Sequence, residues 1–249
     1  MSRSTIKHSI YRPRFRVALS LVSLTSLLVG MSSISAGAQS APVIAAYTLE
    51  PHGYTMLASP KGIIRAYRLP NVPTKKFVHP YYFGSPVTMP VISVSGSFLL
   101  VRLPTRPNGS TTWVKKQDVN VSASPYRIMI YLRTTHLEIL YKGKKFFRAP
   151  IGIGISNDPT PKGRFFVAFY AQSPNAGYGP FVVVTSAHSN KITDWEQSGD
   201  ALIAIHGPLG ADHRIGTNGA RISHGCIRLH VGDLRRLGYI SIGSPVQVV

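Results

Sequence analysis

Residues 223–228 read Ser-His-Gly-Cys-Ile-Arg, and Cys226 is the sole cysteine among 249 residues. A lone cysteine can be a small buried hydrophobe, a metal ligand, half of an intermolecular disulfide, or a nucleophile. A thiol attacks as its thiolate, which an ordinary pKa of about 8.5 leaves scarce at neutral pH. A nucleophilic cysteine therefore needs a base or a cation beside it. Two histidines qualify. His224 stands two residues from Cys226, on the same face if the backbone is extended. His206 ends the run Ile203-Ala204-Ile205-His206-Gly207, with 16 residues between it and Ser223. A base returning on a neighbouring strand reaches the sulfur from the side, which favours His206. No Asp or Glu lies within five residues of His206, so a backbone carbonyl such as that of Gly207 is the expected partner for fixing its tautomer. Gly225 lets the chain bend tightly before the cysteine, so that amides of residues 224–226 converge on an oxyanion. Arg228 places a permanent positive charge two residues beyond, suited to a substrate carboxylate or to the thiolate.

Zinc is the competing chemistry, because His206, His213, His224, Cys226 and His230 crowd one region of the sequence. None of their pairs has a familiar zinc spacing, so neither metal nor other cofactor is expected. His136, His188 and His213 read as surface or structural residues, with His188 a candidate for lining a cleft. Trp113 and Trp195 read as core or cleft-edge anchors.

The value of a free thiol depends on where the chain works. Residues 1–16 carry Arg3, Lys7, Arg12, Arg14 and Arg16 and no acid, and an apolar run from Val17 to Val29 follows. Ala36-Gly37-Ala38 then gives a small-x-small site before Gln39. This is the layout of a secretory signal peptide over residues 1–38. An uncleaved membrane anchor is the alternative, weakened by Ser20, Ser23, Thr25 and Ser26 within the run. No Arg-Arg pair in residues 1–38 supports a twin-arginine route. The expected location is the periplasm, the cell wall or the extracytoplasmic face of the membrane. An odd cysteine there suggests intermolecular pairing or a reactive thiol. Without its leader the chain keeps 23 Lys and Arg against 9 acidic residues, a balance of +14. The charge is scattered and contains no basic run of the kind that marks a nucleic-acid arm. Anionic envelope polymers are thus plausible partners and nucleic acid is not expected.

Stepping outward, strands must position these groups. Residues 39–124 hold short apolar runs between Pro, Gly and Asn, with strands expected at 91–95 and 98–101 around Gly96, and at 111–114 after Pro107-Asn-Gly-Ser110. This segment reads as a small all-β module. From Tyr126, Ile128, Ile130 and Leu132 alternate with Met129, Tyr131 and Arg133, and Leu137, Ile139 and Tyr141 continue to the hairpin signal Lys142-Gly143-Lys144. Further strands are expected at 165–170, 181–185, 201–205 and 245–249. Only Val231–Leu237, stopped by Gly238, offers a helix. The organisation is a signal peptide over 1–38, a module over 39–124 and a catalytic domain over 125–249.

Several of these motifs together resemble a known family. Thr160-Pro-Lys-Gly-Arg-Phe165, Ile205-His206-Gly207 and Ser223-His-Gly-Cys-Ile-Arg228 after a gap of 16 residues are similar to an L,D-transpeptidase catalytic domain of the YkuD type. His206, Ser223, His224, Gly225, Cys226, Ile227 and Arg228 fill every signature position, although the last is often Asn in the family. Tyr178-Gly-Pro-Phe181 and Ser186-Ala-His-Ser189 resemble a subgroup of exported members. The piece from Arg106 to Val119 resembles the closing strands of a bacterial SH3-like module, with an irregular β lead-in as the open alternative. The resemblance implies a mainly β, β-sandwich-like catalytic fold and a two-step acyl transfer on peptidoglycan stem peptides. Cys226 would attack the carbonyl of the third stem residue of a donor tetrapeptide, D-alanine would leave, and the side-chain amine of an acceptor stem would resolve the thioester into a 3–3 cross-link. His206 would move the protons, with Gly207 orienting it. His224 would line the site, and Ser223, Gly225, Arg221, Arg228 and Tyr178 would contact or frame the substrate. Hydrolysis of the same thioester would make the protein an L,D-carboxypeptidase; loss of catalysis would leave a wall-binding protein.

Overall fold

The computed structural model describes residues 51–249 apart from residue 218. The signal peptide read over residues 1–38 and the first residues of the module fall outside the described residues. The described chain is mainly β, with most of its strands in two large sheets and the rest in two small two-stranded ones. The first is a seven-stranded antiparallel sheet in the order Val72–Val78, Ile64–Leu69, Thr111–Lys115, Phe98–Arg102, Met89–Ser95, Thr55–Pro60, Val119–Ser124. The second has eight strands in the order Lys144–Pro150, His136–Tyr141, Tyr126–Tyr131, Pro245–Val248, Gly163–Ala171, Val182–His188, Leu202–His206, Ile227–Arg228. Two of its pairings are parallel: Tyr126–Tyr131 with Pro245–Val248, and Leu202–His206 with Ile227–Arg228.

The alternation from Ile128 onward puts Ile128, Ile130, Leu137 and Ile139 on one face, where they meet Phe165, Val167, Val183, Ile203, Ile205 and Ile227 in a common core. The centre of the second sheet has no such simple alternation. Val182–His188 is buried at every position, and Gly163–Ala171 is buried from Phe165 through Phe169. Runs of that kind mark strands covered on both faces. The second cover comes from the N-terminal sheet. Met89, Val91, Leu99, Val101 and Val114 pack in one cluster with Phe166, Ala168, Phe169, Val182, Val184 and Ala204. A register shift between Val167 and Phe169 turns Phe169 onto this same face.

The expected helix over residues 231–237 is a single α turn, Val231–Leu234, continued as a tight 3-10 turn, Arg235–Tyr239, that runs through Gly238. Leu234 and Leu237, both 0% exposed, explain the tightening. Three residues per turn brings side chains at i and i+3 directly into line, so both leucines enter the core together.

Phe166 is 1% exposed in the core shared by the two sheets. Phe166→Ala should cost about 3–5 kcal/mol, read by urea denaturation, and both sheets should be lost in one transition at lower denaturant.

Candidate active site

The strand Leu202–His206 alternates between two environments. Ile203 and Ile205 enter the first core, while Ala204 packs in the core shared with the N-terminal sheet. Side chains two apart share a face, so His206 follows Ala204 toward that shared side. The parallel pairing aligns Ile205 with Ile227 and His206 with Arg228, which puts Cys226 next to Ala204. The Ala204 amide donates to Cys226 Sγ at 3.5 Å. His206, Cys226 and Arg228 thus come together as walls of a cavity of about 310 Å³, with Tyr178, Phe169 and Ser223 beside them.

A braced turn presents the cysteine. Gly225 has φ 119°, and a side chain there would meet Ile203 Cδ1 at 2.8 Å, so only glycine fits. Ser223 Oγ donates to the Cys226 carbonyl at 2.5 Å and accepts from the Gly225 amide at 3.2 Å. Its hydroxyl is therefore engaged within the turn, and so is the Gly225 amide. Of the three amides considered from the sequence, those of His224 and Cys226 take no part in the Ser223 hydroxyl's bonds. Thr160 fastens the turn from below: Oγ1 donates to the Gly225 carbonyl at 2.7 Å and accepts from the Gly154 amide at 3.0 Å. Thr160 opens the Thr-Pro-Lys-Gly-Arg-Phe motif, which gives that motif a physical task beside the cysteine.

His206 is 3% exposed, and its Nδ1 lies 2.8 Å from the Gly207 carbonyl. A carbonyl only accepts, so the proton sits on Nδ1 and Nε2 keeps its lone pair. Burial pushes the imidazole pKa down to about 4; the Gly207 carbonyl opposes this and Arg228 adds to it. The ring is neutral at pH 7. Cys226 is half-buried, and burial raises its thiol pKa against the pull of the Ala204 amide and Arg228. The resting pair is accordingly a thiol and a neutral imidazole, the arrangement for general-base activation. Arg228 donates to the Pro208 carbonyl at 3.2 Å, while its buried Nε has no partner among the described residues. A buried donor left unpaired carries a penalty that an incoming oxygen removes.

Tyr178 lies against His206, with ring centroids 4.7 Å apart at 44°. Its loop is pinned: Gly207 N donates to the Tyr178 carbonyl at 2.7 Å and Leu209 N to that of Gly177 at 2.9 Å. A side chain on Gly207 would strike this loop, with the Tyr178 carbonyl carbon at 2.7 Å. Arg221, expected to contact the substrate, braces a neighbouring strand. Its guanidinium donates to the Gly154 carbonyl at 3.2 Å, and it takes no part in the cavity wall. The strand Arg221–Ser223 pairs with Ile153–Gly154 in parallel. His224 lines the cavity; its Nδ1 lies 2.7 Å from Asp158 Oδ2, and its ring meets Trp195 at 5.6 Å. Asp158 was not singled out from the sequence, although it stands two residues before Thr160, and Trp195 was read only as a core or cleft-edge anchor. His230 pairs with Asp212 at 2.8 Å, and no three His, Cys, Asp or Glu side chains cluster among the described residues.

Alkylation of Cys226 by iodoacetamide should reach half its limiting rate at a higher pH than a free cysteine does, because burial raises the thiol pKa. A midpoint at or below the free value would require a stronger thiolate partner than this cavity supplies.

Comparison with known proteins brings the family into view. Residues 125–248 match the family model of the L,D-transpeptidase catalytic domain, YkuD. No curated protein matches the chain. Among solved structures it is similar to an L,D-transpeptidase from Mycobacterium smegmatis, at 15% identity over 65% of this chain and 90% of that one, with a TM-score of 0.38. It is also similar to L,D-transpeptidase 3 from Mycobacterium tuberculosis, at 14% identity over 66% and 91% of the two chains, TM-score 0.41. The catalytic domain of the E. faecium L,D-transpeptidase acylated by ertapenem shares 23% identity over 51% and 98%, TM-score 0.38. The family match begins at residue 125, so the SH3-like reading of residues 106–119 finds no counterpart in it.

Proposed function

With residues 125–248 belonging to the YkuD family of L,D-transpeptidase catalytic domains, we propose that the protein is an exported acyltransferase that forms 3–3 cross-links in peptidoglycan. One observation carries the assignment of roles: Cys226 and a neutral His206, with its Nε2 lone pair free, line one cavity.

In the first half-reaction His206 Nε2 takes the thiol proton as Sγ attacks the carbonyl carbon at the L-centre of the third stem residue. The oxyanion is held by the Cys226 amide, with Arg228 as the nearby positive charge. Collapse breaks the bond to the terminal D-alanine, whose amine takes the proton back from His206. The product is a thioester on Cys226. In the second half-reaction the side-chain amine of an acceptor stem attacks the thioester and gives its proton to His206. The carbon–sulfur bond breaks, and the proton returns to the sulfur. The unpaired Nε of Arg228 supports a role in holding a stem carboxylate or carbonyl. His224, oriented by Asp158, supports the acceptor side of the cleft. No cofactor enters these steps. The surplus positive charge suits the anionic polymers of the envelope.

Incubation of the chain with disaccharide tetrapeptides, followed by mass analysis, tests the reading. Cross-linked dimers are expected; tripeptides alone would make the protein an L,D-carboxypeptidase, and bound but unchanged substrate would make it a wall-binding protein. Cys226→Ala should fold and form no acyl adduct, and an adduct on that variant would refute the nucleophile. A base is active only when unprotonated, so activity should be present above the His206 pKa and fall as pH drops through it. The acid limb of the acylation rate should therefore lie near pH 4, against about 6.5 for an ordinary imidazole. A limb near the ordinary value would move the base to a more exposed histidine such as His224.

A further inference from the structure

The cavity is not built by residues 125–248 alone. One wall is Phe83, at the tip of the hairpin joining Tyr81–Tyr82 to Ser85–Pro86 in the N-terminal half. Phe83 has φ 48°, a left-handed conformation that a bulky side chain rarely adopts and that Asn or Gly would take at little cost. It remains 49% exposed and stacks on Phe169, at 6.3 Å and 24°. Strain at a turn tip, offset by an aromatic contact at the cavity, marks a position held for a purpose other than stability.

Another part of the lining is segment 189–200, which carries Ile192 and Trp195. It has no regular secondary structure, and its two ends are gathered by one side chain from the N-terminal half. Arg106 donates to the carbonyls of Ser189 at 2.9 Å and Ile192 at 3.1 Å, and through Nε to Asp200 Oδ1 at 2.8 Å. Asn108 brackets the neighbouring His188, accepting from its amide at 2.8 Å and donating to its carbonyl at 2.7 Å. His188 Nε2 lies 2.8 Å from the Pro104 carbonyl, and Asp200 Oδ2 lies 2.8 Å from Nδ1, without hydrogen-bond alignment. Burial works to raise the Asp200 pKa, yet His188, the Ala201 amide and Arg106 outweigh it and hold the carboxylate charged. Within the segment, Asp194 accepts from Gly199 N at 2.9 Å and Trp195 N donates to the Asp200 carbonyl at 3.0 Å, which closes the loop beneath the indole.

We propose that the N-terminal half completes the substrate cleft, with Phe83 as one wall and Arg106 as the positioning residue that fixes segment 189–200 and its Trp195 as the other. The proposal rests on the acyl-transfer reading for what the cleft holds: a stem peptide lying between the two aromatic walls while its carbonyl meets Cys226. Neither residue touches the reacting atoms. Their loss should weaken engagement of the stem and leave the chemical step nearly intact.

The test uses the full chain and a disaccharide tetrapeptide. Arg106→Ala should raise KM about tenfold, the scale of charged hydrogen bonds lost, with kcat within about threefold and iodoacetamide alkylation of Cys226 unchanged. Acrylamide quenching of Trp195, taken as the difference from the Trp195→Phe variant, should increase. Arg106→Lys keeps the charge opposite Asp200 and loses the fork, so its KM should fall between; it carries the test if the alanine variant does not fold. Phe83→Asn should hold or raise the melting temperature, since it relieves the turn, and still raise KM several-fold. Wild-type KM in these variants, or unchanged Trp195 quenching in Arg106→Ala, would overturn the proposal. If the unmodified chain leaves muropeptides intact, the acyl-transfer reading fails, and the quenching result alone still decides whether Arg106 holds the wall.

Discussion

Everything at the site depends on the burial of one small set of strands from both sides. Gly163–Ala171, Val182–His188 and Leu202–His206 have one face in the core of their own sheet and the other against Met89, Leu99 and Val101 of the neighbouring sheet. At a pair of packed sheets the shared face is dry, and a polar side chain placed there loses water on every side. His206 stands at the end of that face and Cys226 beside it. Their shifted titrations follow from this position rather than from any charged neighbour, since burial is the leading cause for both.

A thiol made harder to ionise and an imidazole made harder to protonate give a quiet pair. Neither group is charged at rest, so the thiol is sheltered from casual oxidation and adventitious alkylation. In the proposed reaction the proton would move only when an electrophile is seated and negative charge can pass to an oxyanion. The cationic group that would otherwise tip the balance, Arg228, spends one nitrogen on the Pro208 carbonyl and leaves Nε free. Preorganised donors cost nothing to reorient at the moment of reaction. Ser223 and Thr160 serve the same end by fixing the turn before substrate arrives.

The sequence made the second sheet legible where it is half-covered. Ile128, Ile130, Leu137 and Ile139 show the period of two, and the hairpin at Lys142-Gly143 joins the expected strands. It was least legible where both faces are covered, because Phe165 through Phe169 and Val182 through His188 lose the alternation that would assign a face. For the site, local spacing was enough to pick out Cys226, His206, His224 and the glycine between them. The Gly207 carbonyl was accessible to reasoning as well, because His206 has no acid close in sequence. Asp158 and Trp195 were hidden, since their contacts with His224 cross tens of residues and follow only from folding.

The border drawn by family likeness and the border drawn by packing do not coincide. The family match begins at residue 125, yet Met89, Val91, Leu99 and Val101 before it pack in one core with Phe166. A chain begun at residue 125 would possess every motif residue and would bare Phe166, Ala168, Phe169, Val182 and Val184 to water. A contiguous apolar surface of that kind draws other copies to itself. Such a fragment would report aggregation, and its silence would say nothing about Cys226 in the whole chain.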